Sequence, residues 1–327
     1  MILEVGTDRD YSTIAEAVNA VPYREEAVIR ITEGVYREKI FIDKRKITLE
    51  GAGIGKTVIT WGDGAFEDMP DGTKRGTFRS YTVFAGGERV TLKDLTIENT
   101  AGPGEHAGQA LALYADAERV QAENVELISY QDTLFCAPLP RQERQARGFF
   151  GPRAHTPRSL TTQYYRGCRI RGDVDFIFGG ADALFEDCRI VIAGRTEGEQ
   201  ISPGGYITAP CECPGKIGLV FVNCTVTAEE PVPAGSVFLG RPWRAEGKTA
   251  FLHCTFDDCI HPRRYSGWGE IEKDEPDATL AEYDSRGTDG TPQGMEERNP
   301  WVKVLTAEEA ARYEAGVQEL KNLITES

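Results

Sequence analysis

A chain of 327 residues with 40% hydrophobic content is long enough to bury a sizeable core. Its 52 acidic side chains against 37 basic ones, a formal net charge of −15, exclude nucleic acid and anionic membrane as general partners, so a polyanionic ligand would need a local basic patch. No run of eighteen apolar residues occurs, and the opening MILEVGTDRDYSTIAEAV has neither a basic n-region nor an apolar h-region, so a cytoplasmic protein is expected, or a secreted one if the sequence was trimmed.

The first predicted element is a helix in STIAEAVNAVP (12–22), where Thr13 and Glu16 have capping-box spacing and Pro22 stops the turn. A short phrase then recurs: TLKDLTI (91–97), QAENVEL (121–127), YYRGCRI (164–170), LFEDCRI (184–190), VFVNCTV (220–226) and AFLHCTF (250–256). Each copy alternates apolar and polar residues with period two, the mark of a strand with one buried face. Strands returning at irregular intervals, with few helices, describe a parallel β-solenoid whose inward residues pile into ladders. Cys168, Cys188, Cys224 and Cys254 hold one place in successive phrases and are expected to stack as reduced core thiols. Cys211 and Cys213 have no second pair at ligand spacing, so no metal and no cofactor is expected. The last element is a helix over 306–324, with Thr306 and Glu309 repeating the capping box; both helices are read as covers for the ends of the strand stack.

Four strings set amide, carboxylate or guanidinium groups beside core-facing residues: GQALAL (108–113), YQDTLF (130–135), GDVDFIFG (172–179) and FLGRPW (238–243). Together, and in this order, they resemble the pectin methylesterases, carbohydrate esterases that demethylate polygalacturonate. The resemblance extends to TIAEAVNAVP, ITEGVYREKIFI, ITLEGAGIGKTVIT, IENTAGP and AEYDSRG, and so covers nearly the whole chain. It implies an all-β, right-handed parallel β-helix, here one domain over 1–327 with short terminal helices. The implied partner is methyl-esterified homogalacturonan or its oligogalacturonides, with no nucleic acid or membrane, and the chain is expected to act as a monomer.

Ester hydrolysis needs a nucleophile, donors for the developing oxyanion and an acid for the leaving alkoxide. By the resemblance, Asp175 is the nucleophile and Asp132 the general acid and base. Gln109 and Gln131 donate to the oxyanion, Arg241 keeps Asp175 ionised, and Trp243 stacks on a sugar ring. Burial and the Asp175 charge are expected to hold Asp132 protonated. Phe78, Phe135, Phe176 and Trp268 are further subsite candidates that would serve equally as core. Read from the residues alone, paired acids on a β-fold also suit a solvated surface, and glutamines also ladder along solenoids. A pectin-active lyase or polygalacturonase, and a carbohydrate-binding β-helix without activity, stand as alternatives.

Three places depart from the family pattern. Asp173 replaces the usual Thr or Ser and is read as a solvated neighbour of Asp175. Gly180 replaces Asn or Asp and is expected to loosen the turn after its strand. Asp132 and Asp175 are 43 residues apart, a longer gap than in plant members, because of an insertion over about 137–160. It carries Arg141, Arg144, Arg147, Arg153 and Arg158 against the single acid Glu143, and is read as a basic surface flap over one end of the cleft.

Overall fold

The recurring phrase of the sequence is a corner. In the computed structural model, each copy turns at one residue of left-handed backbone, Asp94, Asn124, Gly167, Asp187, Asn223 or His253, and the AEYDSRG string does the same at Asp284, with φ between 47° and 59°. Asp, Asn and Gly enter this region at least cost, which is why the fourth place of the phrase is polar or small. His253 is the exception, and its ring is held between Asp284 Oδ2 at 3.1 Å and Glu314 Oε1 at 3.3 Å.

The structure describes residues 1–194, 196–197, 200–201, 204–212, 215–229, 232–268, 277–291 and 297–325. All strand pairs in the main sheet are parallel, and successive coils stack in a right-handed β-helix. One row of register runs Tyr165, Phe185, Phe221, Phe251 and points inward. Its rings stack at 4.7, 4.5 and 4.3 Å between centroids and are fully buried. Beside it lies the cysteine ladder. The thiols of Cys168, Cys188, Cys224 and Cys254 are free, buried, and each directed at a carbonyl of the coil before: Ala122, Tyr165, Phe185 and Phe221, respectively.

Because Phe221 touches a ring on either side, Phe221→Ala should cost about 3–5 kcal/mol, read as a fall in the denaturant midpoint. A midpoint equal to that of the parent would show that the stack carries no stability.

The helix Ile14–Ala20 buries Ile14, Ala17 and Val18 in the main core, and Thr13 Oγ1 accepts from Glu16 N at 3.2 Å. The helix Ala307–Thr325 has the reciprocal capping box, Thr306 N to Glu309 Oε2 at 2.9 Å and Glu309 N to Thr306 Oγ1 at 3.2 Å. Its Val317, Leu320 and Ile324 pack on the outward residues Leu184, Val220, Ala250 and Leu252, so its cover lies along the flank of the coils.

A second face positions the site. Its rungs are Leu113–Ala115, Leu134–Cys136, Val174–Gly179, Tyr206–Pro210 and Phe238–Gly240, each paired with the next. Neighbouring rungs of a sheet lie about 4.8 Å apart, so the ends of these strands bring distant segments together at fixed intervals.

Candidate active site

Gln109, Gln131, Asp132, Asp175 and Arg241 line one cavity of about 300 Å³, together with Phe78, Trp243 and Trp268. Gln109 leads into the first of those rungs, and Gln131 and Asp132 form the turn before Leu134–Cys136. Asp175 lies in Val174–Gly179, and Arg241 directly follows Phe238–Gly240. Backbone bonds tie the two acidic segments together: Asp132 N donates to Val174 O at 3.0 Å, and Asp173 N to Tyr130 O at 3.1 Å.

Both aspartates sit on left-handed backbone, Asp132 at φ 64° and Asp175 at φ 49°. At Asp175 the strand also carries an extra residue, because Val174 and Ile177 pair with Tyr206 and Thr208. Such an irregularity breaks the alternation of side chains and re-aims one of them. Here it accompanies the turn of a carboxylate into the cavity.

Arg241 grips Asp175 with a fork, Nε to Oδ1 at 2.9 Å and Nη2 to Oδ2 at 2.7 Å. Its guanidinium carbon lies 3.9 Å from the Tyr206 ring centroid and 4.2 Å from that of Trp268. Two aromatic faces and a carboxylate thus fix the cation in place. Among the described residues no cation forms an ion pair with Asp132. Burial drives Asp132 well above the usual carboxylate range, and the charge of Asp175 adds to the rise while Arg241 opposes it. Burial also raises Asp175, but there the hydrogen bonds and charge of Arg241 work against the rise. Both carboxyls are thus pushed upward by burial, but only that of Asp175 has a guanidinium bonded to it that works the other way.

Gln131 is backed by Gly104. A Cβ at 104 would come within 2.4 Å of Gln131 Oε1, so the glycine lets the preceding turn close behind the amide.

Phe78, Trp243 and Trp268 line the cavity, but the other two aromatic candidates do not. Phe135 is fully buried behind Phe78 and Phe178, at 5.0 and 4.9 Å between centroids. Phe176 points inward and belongs to the main core. Phe178 takes its place at the cavity wall, a residue that sequence reasoning passed over. Its neighbour in alternation offered the same signal, and only the irregularity at Asp175 separates them.

Asp173 is not solvated. It is 3% exposed, its Oδ1 accepts from Val174 N at 2.6 Å, and its charge contributes to the rise of Asp132. Nor does Gly180 loosen the chain: a Cβ there would meet Glu212 O at 2.5 Å, so close packing and not freedom explains the glycine. Cys211 is buried with its thiol 3.9 Å from Pro138 O, and Cys213 lies outside the described residues.

The insertion does reach the cleft. Arg144, Gln145, Gly148 and Phe149 line the cavity, and Phe149 packs on Phe78 at 5.8 Å and Trp243 at 6.2 Å. Its arginines divide into two kinds. Arg153 is paired with Asp116, and Arg158 donates to the carbonyls of Pro140, Arg153, Ala154 and Thr156, so these two hold the excursion against the body and against itself. Arg144 faces the cleft, 5.8 Å from the centroid of Trp268. The run of arginines was the signal for this wall, but which of them served folding was not legible.

A family model described as pectinesterase matches residues 2–146 and 154–320, and the break falls within the insertion. Pectinesterase 31 of Arabidopsis thaliana is 31% identical over 93% of this chain and 87% of its own length. Probable pectinesterase/pectinesterase inhibitor 64 of the same plant is 37% identical over 80% of this chain, which spans only 42% of it, and the share is 40% for the putative pectinesterase/pectinesterase inhibitor 43. The chain thus spans less than half the length of several curated relatives. Among solved structures, the pectin methylesterase from carrot superposes with a TM-score of 0.77 at 28% identity, covering 98% of this chain and 94% of that one. A pectin methylesterase in complex with hexasaccharide VII gives 0.74 at 27% identity, over 95% and 94% of the two chains. These relatives correct the cytoplasmic expectation, since plant pectinesterases are secreted cell-wall enzymes. A leader pattern missing from the first residues does not locate a protein.

Proposed function

The chain belongs to the pectinesterase family, and from that premise we propose that it hydrolyses methyl esters of galacturonate residues in pectin or methylated oligogalacturonides, releasing methanol. The observation that carries the reading is the pair of carboxylates in unlike settings, Asp175 forked by Arg241 and Asp132 buried with no ion pair among the described residues. A related pectin methylesterase holds a hexasaccharide, which supports an oligosaccharide in this cleft.

A carboxylate oxygen of Asp175 attacks the ester carbonyl carbon, and the oxyanion that forms takes hydrogen bonds from the side-chain amides of Gln109 and Gln131. As the carbon–oxygen bond to methoxide breaks, Asp132 gives up its proton and methanol leaves. The resulting acyl-enzyme is an anhydride on Asp175. Asp132, now ionised, takes a proton from water, the hydroxide attacks the acyl carbon, and free Asp175 returns with galacturonate as product. Trp243 offers a flat apolar face to a pyranose. One chain suffices, because all five polar groups converge within it.

The test is incubation with highly methylated oligogalacturonate, following methanol, chain length and unsaturated product together. Methanol without chain cleavage is expected; shortened or unsaturated chains would point instead to a glycosidase or lyase. Gln131→Ala should lower kcat by about 10²-fold with a small change in KM, since an oxyanion donor acts mainly in the transition state. An equal rise in KM at constant kcat would make Gln131 a ground-state contact.

A further inference from the structure

Trp243, the residue proposed to face a sugar ring, is itself packed by rings. Phe78 lies 6.4 Å from it, Phe178 5.6 Å and Phe149 6.2 Å between centroids, the last two edge-on at 72°. Phe78 and Phe178 belong to the body of the β-helix, one in the turn 77–79 and the other on the strand Val174–Gly179. Phe149 comes from the insertion and is 3% exposed, so it is a plug set into the aromatic cluster of the cavity wall.

What seats that plug lies outside the cavity. A Cβ at 151 would come within 2.7 Å of Phe78 O, so the insertion's backbone runs directly against the body at that point. Further along, the limb 153–161 spans a hollow of about 270 Å³ lined by Asp116, Glu118, Arg158 and Leu160, and Arg153 crosses from it to the body. Its Nε donates to Asp116 Oδ2, its Nη2 lies 3.6 Å from Asp43 Oδ1, and its guanidinium carbon is 5.3 Å from the centroid of Phe84. The carbonyl of Arg153 in turn accepts from Arg158 Nη1 at 2.8 Å, and the Arg158 guanidinium carbon lies 5.8 Å from the centroid of Phe149. Contacts thus run unbroken from Asp116, directly after the rung Leu113–Ala115, through Arg153, Arg158 and Phe149 to Trp243. With side chains 14% and 25% exposed, the Asp116–Arg153 pair is screened less than a surface bridge. Phe149 and Arg153 both fall in the break of the family match, 147–153, so this support is no part of the pattern the family shares.

We propose that Asp116 and Arg153 are positioning residues for the substrate: by seating the insertion they keep Phe149 against Trp243 and hold the indole in the orientation that receives a pyranose. The inference rests on the sugar-facing role proposed for Trp243 and extends it to a pair that touches no substrate. Neither residue lines the catalytic cavity, so their effect falls on binding and not on the chemical step.

The experiment is a double-mutant cycle in KM for methanol release from highly methylated hexagalacturonate, with R153Q, W243A and the two combined. R153Q alone is expected to raise KM about five- to tenfold with kcat within about twofold of the parent, the scale of a lost aromatic contact. In the W243A background the same change should add less than about twofold, because the residue it acts through is gone. D116N keeps the shape of the side chain and removes its charge, and should repeat the R153Q result; R153K keeps a charge and should recover part of the loss. A general loss of structure would lower kcat as well and act undiminished in both backgrounds. Full multiplication of the R153Q and W243A effects, or a KM unmoved by R153Q and D116N, would overturn the inference. If the parent releases no methanol, the esterase reading fails by itself, and the same cycle is run on the dissociation constant of the hexasaccharide by calorimetry. Non-additivity there sustains the role of the pair, and additivity removes it.

Discussion

Asp175→Ala should reduce methanol release by about 10⁴-fold or more, the scale of losing a nucleophile, with residual turnover left to the oxyanion donors and binding. The same change leaves Arg241 between Tyr206 and Trp268 with no carboxylate to grip. A loss of about 2–3 kcal/mol of stability is therefore expected alongside, the worth of hydrogen bonds to a charged partner. Rates should be taken well below the melting transition, with the fold checked by circular dichroism. Activity within tenfold of the parent in a folded variant would remove Asp175 from the nucleophile's role and leave Asp132 to be tested for it.

Arg241→Gln removes the fork and the charge while keeping a polar side chain. The expected loss is about 10²- to 10³-fold in kcat/KM near neutral pH, and its cause shows in the pH profile. Burial raises Asp175, and Arg241 is the group that opposes the rise. In the proposed role Asp175 works as the ionised form, so activity should fall as pH drops through its pKa. Without Arg241 that pKa climbs further, and the acid limb of kcat/KM must move to higher pH. Part of the rate should return on raising the pH of the assay. Arg241→Lys restores a charge without the planar fork or the stacked face, and should move the limb back only in part. An unmoved limb in both variants would mean that Arg241 positions the substrate and does not set the charge of Asp175.

Much of the coil architecture was legible because it is local. The alternation in LFEDCRI or VFVNCTV reports a strand with one buried face, and the polar or small residue in its middle reports the corner at Asp187 or Asn223. The ladder of cysteines followed from the register of those phrases alone. What stayed hidden depends on non-local backbone geometry. Choosing between Phe176 and Phe178 as a cavity residue requires knowing that the strand carries an extra residue beside Asp175. Burial of Asp173 likewise requires knowing that its turn packs under Tyr130 and Val174. In the insertion, composition announced a basic wall, but the division between arginines that hold the loop and arginines that face the cleft is set by which carbonyls and carboxylates lie nearby. Charge counts carry no such information.

The rungs beneath the site act as a ruler. Asp132 precedes the strand Leu134–Cys136, Asp175 rides on the next rung, and Arg241 follows the strand two rungs further on, past Tyr206–Pro210. Their separations along the axis are multiples of the interstrand spacing, about 4.8 Å, fixed by main-chain hydrogen bonds and indifferent to the side chains above. Gln109 enters the rung before these, Leu113–Ala115, so the chain can grow by whole coils beyond either end of the block from that rung to Phe238–Gly240 without moving one of these groups against another. A coil inserted between the rungs of Asp175 and Arg241 would add a full step between them, far more than the slack in a fork of 2.7 and 2.9 Å. Length is free in this architecture everywhere except across the five consecutive rungs from Leu113–Ala115 to Phe238–Gly240.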